Sequence, residues 1–160
     1  MGLGILESTK IVTISNYLDE RLVVFLDVHT RNEALQKLVD VLNATGKLHD
    51  KESFYHAILE REKIVSTGIG IGVAIPHAKL STYKDFFIAI GIQKSQGIEW
   101  NALDGSPVRI IFMIGGPDNR QTQYLQILSQ LTLSIKDEER RKKLLKARSA
   151  REVLEIFRGV

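Results

Sequence analysis

Two near-continuous apolar runs limit what this chain can fold into. They are FFIAIGI at residues 86–92 and VRIIFMI at residues 108–114. Each run has the length of a β-strand, and a strand that is apolar at nearly every position must be covered on both faces. Asp104 and Gly105, a dipeptide typical of turns, lie between the two runs. The sequence therefore predicts two central strands of a sheet that is buried between layers of helices.

Helix signals occupy the chain on either side of these strands. After a further apolar run at residues 21–28, Thr30 and Glu33 have the spacing of a capping box, and Gly46 is placed to end that helix. Asp50 is placed to begin a second helix. Three later segments also have helical character, at residues 123–131, 138–147 and 150–157. The pattern predicts an α/β fold, as a single three-layer domain over residues 1–160. We expect a mixed sheet of about four or five strands with helices on both faces.

The composition excludes several classes of protein. The chain has no cysteine, which rules out a disulfide framework and any zinc site built on thiolates. No apolar run is long enough to cross a bilayer, so we expect no direct membrane insertion. The sequence also begins without a cleavable signal pattern, and we therefore expect a cytoplasmic protein.

A formal net charge of +3 raises nucleic acid as a possible partner. The basic residues gather mainly in KDEERRKKLLKAR at residues 136–148, where Glu138 stands four residues before Lys142. This spacing is typical of a solvated helix face that carries ion pairs. No aromatic residue interrupts the run to stack on bases. We therefore expect no nucleic-acid partner.

A glycine-rich segment, STGIGIGVAIPHAK at residues 66–79, is the most unusual stretch of the chain. Its glycines, at positions 68, 70 and 72, match neither the dinucleotide-binding fingerprint nor a phosphate-binding loop that ends in Gly-Lys-Ser/Thr. We therefore expect no nucleotide cofactor. The sequence predicts an extended strand with one side-chain-poor face that a partner surface could approach closely, made of Gly70, Gly72, Ala74 and Pro76. The opposite face would carry Ile69, Ile71, Val73 and Ile75.

His77 follows Pro76, which cannot donate to a strand ladder and so predicts a strand end immediately before the imidazole. Two interpretations stay open for His77: a polar residue at a strand end, or a reactive group. Arg61 also has two possible interpretations. It stands where the apolar face of the helix, which includes Phe54 and Ile58, would place its next apolar side chain. Arg61 either binds an anion or extends along the surface at the helix end.

Tyr124 has the same ambiguity on a later helix, where it lies in line with Leu128 and Leu131. It is either a core tyrosine with a satisfied hydroxyl or part of a site. Trp100 and Asp104 fit packing at a strand edge and a turn, respectively. The other histidines have no spacing typical of a metal site, so we expect no metal. These are His29, His49 and His56.

At residues 61–79, REKIVSTGIGIGVAIPHAK closely resembles the signature of one family of domains. These are the fructose/mannitol-type enzyme IIA domains of the bacterial phosphoenolpyruvate-dependent sugar phosphotransferase system, including their nitrogen-regulatory branch. NALDGSPVRIIFMI, at residues 101–114, is similar to the turn and strand that follow in the family. The resemblance covers nearly the whole chain and implies the family's three-layer α/β fold.

The resemblance also implies roles for individual residues. His77 would be the histidine that accepts a phosphoryl group, and Arg61 would contact that group. The family commonly has a second histidine where this chain has Tyr124, so Tyr124 is a candidate for contact with the phosphoryl group. Thr67 is a further candidate, although a turn or strand cap suits it equally well.

Two functions remain open at this point. The chain is either a phosphocarrier or a regulatory module. A phosphocarrier would take a phosphoryl group from the carrier protein HPr, or its nitrogen-branch counterpart, onto His77. It would then pass the group to a sugar-permease IIB domain or use it as a signal. A regulatory binding module of the same fold would instead control a partner protein without any sugar transfer.

Overall fold

Strands and helices alternate along residues 12–160, the part of the chain that this computed structural model describes. Residues 1–11 of the predicted domain lie outside the described residues. Two short 3₁₀ helices, Ile14–Tyr17 and Glu20–Leu22, come first. The strands are β1 Val23–Leu26, β2 Gly68–Gly70, β3 Val73–Ala74, β4 His77–Lys79, β5 Phe87–Gln93 and β6 Ile110–Gly116. The helices are α1 Arg31–Ala44, α2 Lys51–Ile64, α3 Gln121–Ile135, α4 Glu138–Lys146 and α5 Ala150–Ile156.

The strands form one mixed sheet in the order β1-β5-β6-β3-β2, with β4 also paired to β6. β5 and β6 are antiparallel, whereas β1 runs parallel to β5. β3 and β4 both run parallel to β6 and follow one another along its edge, with Val73 opposite Ile110 and His77 opposite Ile114. The sheet therefore has five strand positions, and the predicted mixed sheet is confirmed.

The core has two parts, one on each face of the sheet. Every residue of β5 and β6 is buried, which confirms the two predicted central strands, although each begins one or two residues later than predicted. On one face, Met113 of β6 belongs to the cluster that includes Phe54 of α2. On the other face, Phe112 belongs to the cluster that includes Leu131 of α3 and Phe157. Residues on β6 thus alternate between two helical layers, and the three-layer architecture is confirmed.

Capping residues position the helices that lead to the site. Thr30 Oγ1 accepts a hydrogen bond from the Glu33 backbone N–H at 3.2 Å, and Gly46, just after α1, adopts a φ of +78°. This left-handed conformation is typical of glycine at a helix end. Asp50 caps α2 by accepting the Glu52 backbone N–H at 3.1 Å. The helix then runs to Ile64 and carries Arg61 in its last turn.

The glycine-rich segment is a tight hairpin, and the prediction of one extended strand is wrong. β2 pairs antiparallel with β3, and the chain reverses at Ile71 and Gly72, whose φ angles are +55° and +78°. Positive φ at both central residues is the geometry of a two-residue type I′ turn. A β-branched residue rarely adopts this conformation. Asp104 supports it by accepting a hydrogen bond from the Ile71 backbone N–H at 3.0 Å.

The predicted faces of this segment are also wrong. Ile69 and Ile71 are exposed, whereas Val73 and Ile75 are buried, because the chain reverses between the two pairs. The glycines do not present a bare face to a partner. A Cβ on Gly68 would lie 2.9 Å from Ala102 Cβ, and one on Gly70 would lie 3.0 Å from the Asp104 carboxylate. The missing side chains therefore make room for the chain's own turn at 102–107.

Candidate functional site

His77 is the first residue of β4, where it is half-buried. Its ring Nδ1 lies 3.0 Å from the Ile75 carbonyl oxygen, and its Nε2 lies 3.2 Å from Arg61 Nε. A carbonyl oxygen only accepts, so Nδ1 carries the proton and donates it to Ile75. The guanidinium only donates, so Nε2 offers its lone pair to Arg61. The two contacts together assign a neutral imidazole whose lone pair is on Nε2.

Burial lowers the pKa of His77 below its usual value of 6.5, because a protonated ring would be a charge removed from water. The hydrogen bond to Ile75 raises the pKa, whereas the positive charges of Arg61 and Lys79 lower it further. The net direction is downward. His77 is therefore neutral at physiological pH, which is the form that can act as a nucleophile.

The lowered pKa gives a first testable prediction. Followed by ¹⁵N NMR against pH, His77 is expected to titrate below 6.5. Arg61→Leu removes a nearby cation and is expected to raise the pKa of His77. Because the folded state disfavours the protonated ring, this contribution to stability is present above pH 6.5 and is lost as pH falls through the folded pKa. A wild-type pKa above 6.5, or a lower pKa in Arg61→Leu, would contradict this electrostatic account.

Arg61 bridges the end of α2 and the imidazole. Its Nη1 donates to the Val65 carbonyl oxygen at 2.8 Å while its Nε donates to His77. The guanidinium is thereby held in place by two contacts rather than extended along the surface. The inward stripe of α2, predicted to reach Arg61, in fact continues from Phe54 and Ile58 to Glu62, which is 4% exposed.

Tyr124 lies in the first turn of α3 with its ring centroid 5.5 Å from that of His77. The side chain is buried, and burial raises the pKa of its hydroxyl, which stays protonated as a hydrogen-bond donor. Lys79 Nζ lies 4.1 Å from the Tyr124 ring centroid and also donates to Gln121 Oε1 at 2.7 Å. The structure therefore brings Tyr124 and a second cation to the same side of β4 as His77.

Thr67 is a buried residue in the short segment between α2 and β2. Its hydroxyl donates to Glu62 Oε1 at 2.5 Å and accepts a hydrogen bond from Trp100 Nε1 at 3.1 Å. Contact with a phosphoryl group would require one of these bonds to be exchanged, and this role for Thr67 stays a prediction. Trp100 is 1% exposed and belongs to the core, so it lies deeper than the predicted strand edge.

A groove of about 480 Å³ lies beside His77 and Arg61. Much of its lining is apolar and comes from the hairpin and α3. The lining includes Ile69, Ile71, Ile75, Leu128 and Ile135. A neutral imidazole nitrogen next to a guanidinium can attack an electron-poor centre that carries negative oxygens, and a phosphoryl group is such a centre.

Comparison with known proteins identifies the family of this chain. The family model for "Phosphoenolpyruvate-dependent sugar phosphotransferase system, EIIA 2" matches residues 16–159. The chain belongs to this EIIA family. It is 39% identical over 127 residues to the fructose-specific EIIABC component of Bacillus subtilis, a match to 79% of this chain and 20% of that protein. It therefore spans about a fifth of the length of that relative.

Two further relatives match this EIIA chain over most of their length. The fructose-specific EIIA component of Haloferax volcanii is 35% identical, with 82% of this chain and 84% of that protein covered. The crystal structure of nitrogen regulatory protein IIA-Ntr from Neisseria meningitidis is 28% identical, with a TM-score of 0.84. That match covers 91% of this chain and 99% of the other. The resemblance to both branches of the family is thus confirmed.

The remaining histidines of the EIIA chain make other contacts. His49 stacks on Tyr83 with ring centroids 4.9 Å apart, and His56 Nε2 lies 3.9 Å from Glu60 Oε1. His29 is exposed, just before the cap of α1. Within residues 12–160, no group of three histidine, aspartate or glutamate side chains is placed to hold a metal ion. No helix in this same range has the length and apolar character needed to span a membrane.

Sequence reasoning missed two residues of this EIIA site. Glu62 follows Ile58 by four residues and was therefore within reach of the helical stripe. Lys79 follows His77 by two residues, which places both on the same side of a strand. In both cases the periodicity was visible. The partner of Lys79, Gln121, is 42 positions away, whereas the partner of Glu62, Thr67, is five positions along the chain.

Proposed function

We propose that this protein is a phosphocarrier that accepts a phosphoryl group on His77 Nε2. The donor is a phosphorylated histidine carrier, HPr or its nitrogen-branch counterpart. One observation carries the proposal: the Nδ1 proton is bound to the Ile75 carbonyl while the Nε2 lone pair is directed at Arg61. Membership of the EIIA family supports the same chemistry.

Phosphoryl transfer to His77 requires no proton to move between groups. His77 Nε2 attacks the phosphorus of the incoming phosphohistidine, the new N–P bond forms and the donor's N–P bond breaks. The donor ring, which is protonated on its other nitrogen, leaves with that electron pair as a neutral imidazole. His77 keeps its Nδ1 proton, and the Ile75 carbonyl continues to accept it, which stabilises the positive charge that develops on the ring.

Arg61 is the group that stabilises the transferred phosphoryl. In the unphosphorylated state its Nε donates to His77 Nε2 at 3.2 Å. When Nε2 forms the bond to phosphorus, that donor becomes free to bind a phosphoryl oxygen. The phosphorus takes the place of the Nε donor, so the guanidinium must shift aside, and the bond from Nη1 to the Val65 carbonyl keeps it next to the site during this shift. Planar N–H donors suit the negative charge that spreads over the equatorial oxygens.

The surface around the site suits a protein partner. Val65, Ile69 and Ile71 are exposed apolar side chains beside His77 and Arg61. Exposed apolar groups that gather around a reactive residue are typical of an interaction surface. We propose that this surface receives the phosphoryl donor and afterwards a IIB permease domain or a regulatory target. We further propose a cytoplasmic location for these encounters.

A second candidate function is regulation without sugar transfer, in which this protein controls a partner through its shape or its phosphorylation state. The similarity to IIA-Ntr over 91% of the chain supports it. When regulation acts through the phosphorylation state, the two candidates differ only in the second step. The test is incubation with phosphoenolpyruvate, enzyme I and HPr, followed by addition of a IIB domain. We expect acid-labile phosphate on this protein that depends on HPr. Discharge by IIB supports the carrier function, and stable phosphate in the presence of IIB favours regulation. Absence of phosphate with HPr and with its nitrogen-branch counterpart would contradict the phosphocarrier proposal.

Tyr124 gives a test of the position where the family commonly has its second histidine. We propose that its hydroxyl donates to the phosphoryl group. Tyr124→Phe keeps the ring next to His77 and removes only that donor. A hydrogen bond to a charged group contributes about 1.5–3 kcal/mol, so transfer should slow, or the phosphorylated form hydrolyse faster, by about one to two orders of magnitude. Tyr124→His is expected to preserve or raise the rate. Equal transfer rates and lifetimes for the wild-type, Phe and His proteins would exclude the donor role.

A further inference from the structure

A buried carboxylate lies next to Arg61 in the sequence, and the proposed chemistry does not use it. Glu62 is 4% exposed in the last turn of α2. Its Oε2 accepts the Thr67 backbone N–H at 2.7 Å, and its Oε1 accepts the Thr67 hydroxyl at 2.5 Å. Burial of a carboxylate is costly unless it is well bonded. Both oxygens of Glu62 are bound by one residue, five positions further along the chain.

Thr67 connects this carboxylate to the reactive histidine. The Thr67 hydroxyl accepts the indole N–H of the buried Trp100 at 3.1 Å, which fixes the direction in which it donates. The Thr67 carbonyl oxygen accepts the Ile75 N–H at 3.0 Å. The Ile75 carbonyl in turn accepts the His77 Nδ1 proton. A path of hydrogen bonds therefore runs from Glu62 to the imidazole.

Arg61 makes a second connection between this part of α2 and His77. Arg61 precedes Glu62 in the helix, and its Nε donates to the other nitrogen of the His77 ring. Beyond Arg61, α2 ends at Ile64, and the exposed, extended Val65 leads toward the hairpin. The two bonds from Glu62 to Thr67 span this exposed connection. They tie the helix end that carries Arg61 to the segment that holds His77.

We propose that Glu62, Thr67 and Trp100 form a positioning clamp for the reactive pair. The clamp fixes the Arg61 guanidinium relative to His77 Nε2 and keeps the proton of His77 on Nδ1. This inference rests on the proposed phosphoryl transfer and concerns how its geometry is set. The chemistry needs such a device, because a misplacement of about 1 Å can cost about a hundredfold in rate.

The choice of residues supports positioning over packing alone. Apolar side chains of similar volume often stabilise a core as well as a buried ion does, and without the cost of desolvation. Thr67 must both donate and accept through one hydroxyl, which serine can reproduce and valine cannot. Valine has nearly the shape of threonine. The pair Thr67→Ser and Thr67→Val therefore separates the hydrogen bonds from the packing.

Three measurements test the clamp. In Thr67→Val we expect kcat for phosphorylation of His77 to fall about tenfold with the KM for the phosphorylated donor unchanged, as for loss of an interaction that acts at the transition state. Thr67→Ser is expected to stay within about twofold of wild type. In unphosphorylated ¹⁵N-labelled protein, the His77 nitrogen shifts of Thr67→Val should move toward a mixture of tautomers, whereas those of Thr67→Ser should not.

Thr45→Val is the matched control. The Thr45 hydroxyl donates to the Val41 and Leu42 carbonyls at the end of α1, so the same change removes a hydroxyl outside the clamp. It is expected to leave kcat and the His77 shifts unchanged. Wild-type kcat and wild-type shifts in Thr67→Val would overturn the proposal, and so would equal losses in Thr45→Val.

If Thr67→Val does not fold, Trp100→Phe removes the indole donor together with part of the buried ring volume, and it is expected to shift the His77 nitrogens in the same direction by a smaller amount. Unchanged shifts in folded Trp100→Phe would then overturn the clamp. The tautomer measurement needs no phosphoryl donor. It therefore tests the clamp separately from the phosphocarrier proposal, which fails if wild-type protein accepts no phosphoryl group on His77.

Discussion

Replacement of His77 by alanine is expected to abolish phosphorylation and leave the fold intact. The change removes the Nε2 nucleophile. In the proposed mechanism, no other side chain at the site can take its place. The ring is half-buried at the start of a three-residue strand, so its loss costs little packing. The backbone pairing of position 77 with Ile114 does not depend on the side chain. The measurement is incorporation of labelled phosphate from phosphoenolpyruvate, with thermal unfolding followed in parallel.

His56→Ala is the matched control for this variant. His56 is exposed on α2 and lies beside Glu60 rather than in the site. It is expected to incorporate phosphate as the wild type does. Undiminished labelling of folded His77→Ala would show that another residue accepts the phosphoryl group, and the mechanism proposed here would be wrong.

Removal of the Arg61 guanidinium has the second-largest expected effect. Loss of one donor directed at developing negative charge typically costs about 10²–10³ in rate, and we expect Arg61→Ala to slow transfer to His77 by this factor. Arg61→Lys keeps the charge but loses the planar donors that contact Val65 and the ring. We expect it to be slower than wild type by about tenfold or more, equivalent to about 1.4 kcal/mol at the transition state. Rapid-quench measurement of the phosphorylated form gives both rates.

Lys63→Ala is the control for charge alone. Lys63 is an exposed cation on the same helix, paired with Glu60 at 3.0 Å. Its removal changes the net charge by the same amount and is expected to leave the transfer rate within about twofold of wild type, as for most surface changes. If Arg61→Ala transferred as fast as Lys63→Ala, Arg61 would have no role beyond its charge.

The elements, and the two residues proposed to react, could be identified from the sequence because their signals are local. The apolar runs at 86–92 and 108–114 identify the central strands, and Thr30 and Asp50 identify helix starts. The spacing between Arg61 and His77 belongs to a compact motif, and the resemblance that it supports named both residues. The structure places them in contact.

The hairpin could not be predicted because its cause lies far along the chain. Alternation of glycine with isoleucine favours an extended strand, and isoleucine disfavours positive φ. The turn at Ile71 depends on a hydrogen bond to Asp104, 33 residues later. The hydrogen bonds of Asp104 to Ser106 and Ile71 lower the pKa of its carboxyl to about 2, so it stays ionised as an acceptor. The residues around Ile71 in the sequence give no signal for this contact.

The role of Thr67 was ambiguous for a similar reason. Its neighbours in sequence suggest a turn or a phosphoryl contact, but its partners in the structure are Glu62 and Trp100. Trp100 is 33 residues away. A hydroxyl beside this motif can bind the phosphoryl group or hold the residues that do, and the second possibility becomes visible only through the tertiary contacts.

The central claim is that His77 reacts through Nε2 while Nδ1 keeps its proton. The most direct test is to phosphorylate the ¹⁵N-histidine-labelled protein with phosphoenolpyruvate, enzyme I and HPr, and to identify the phosphorylated ring nitrogen by ¹H–¹⁵N and ³¹P NMR. The structure predicts phosphorus on Nε2 of His77, with Nδ1 still protonated and bonded to the Ile75 carbonyl. Phosphorus on Nδ1, or on any other side chain, would contradict the account.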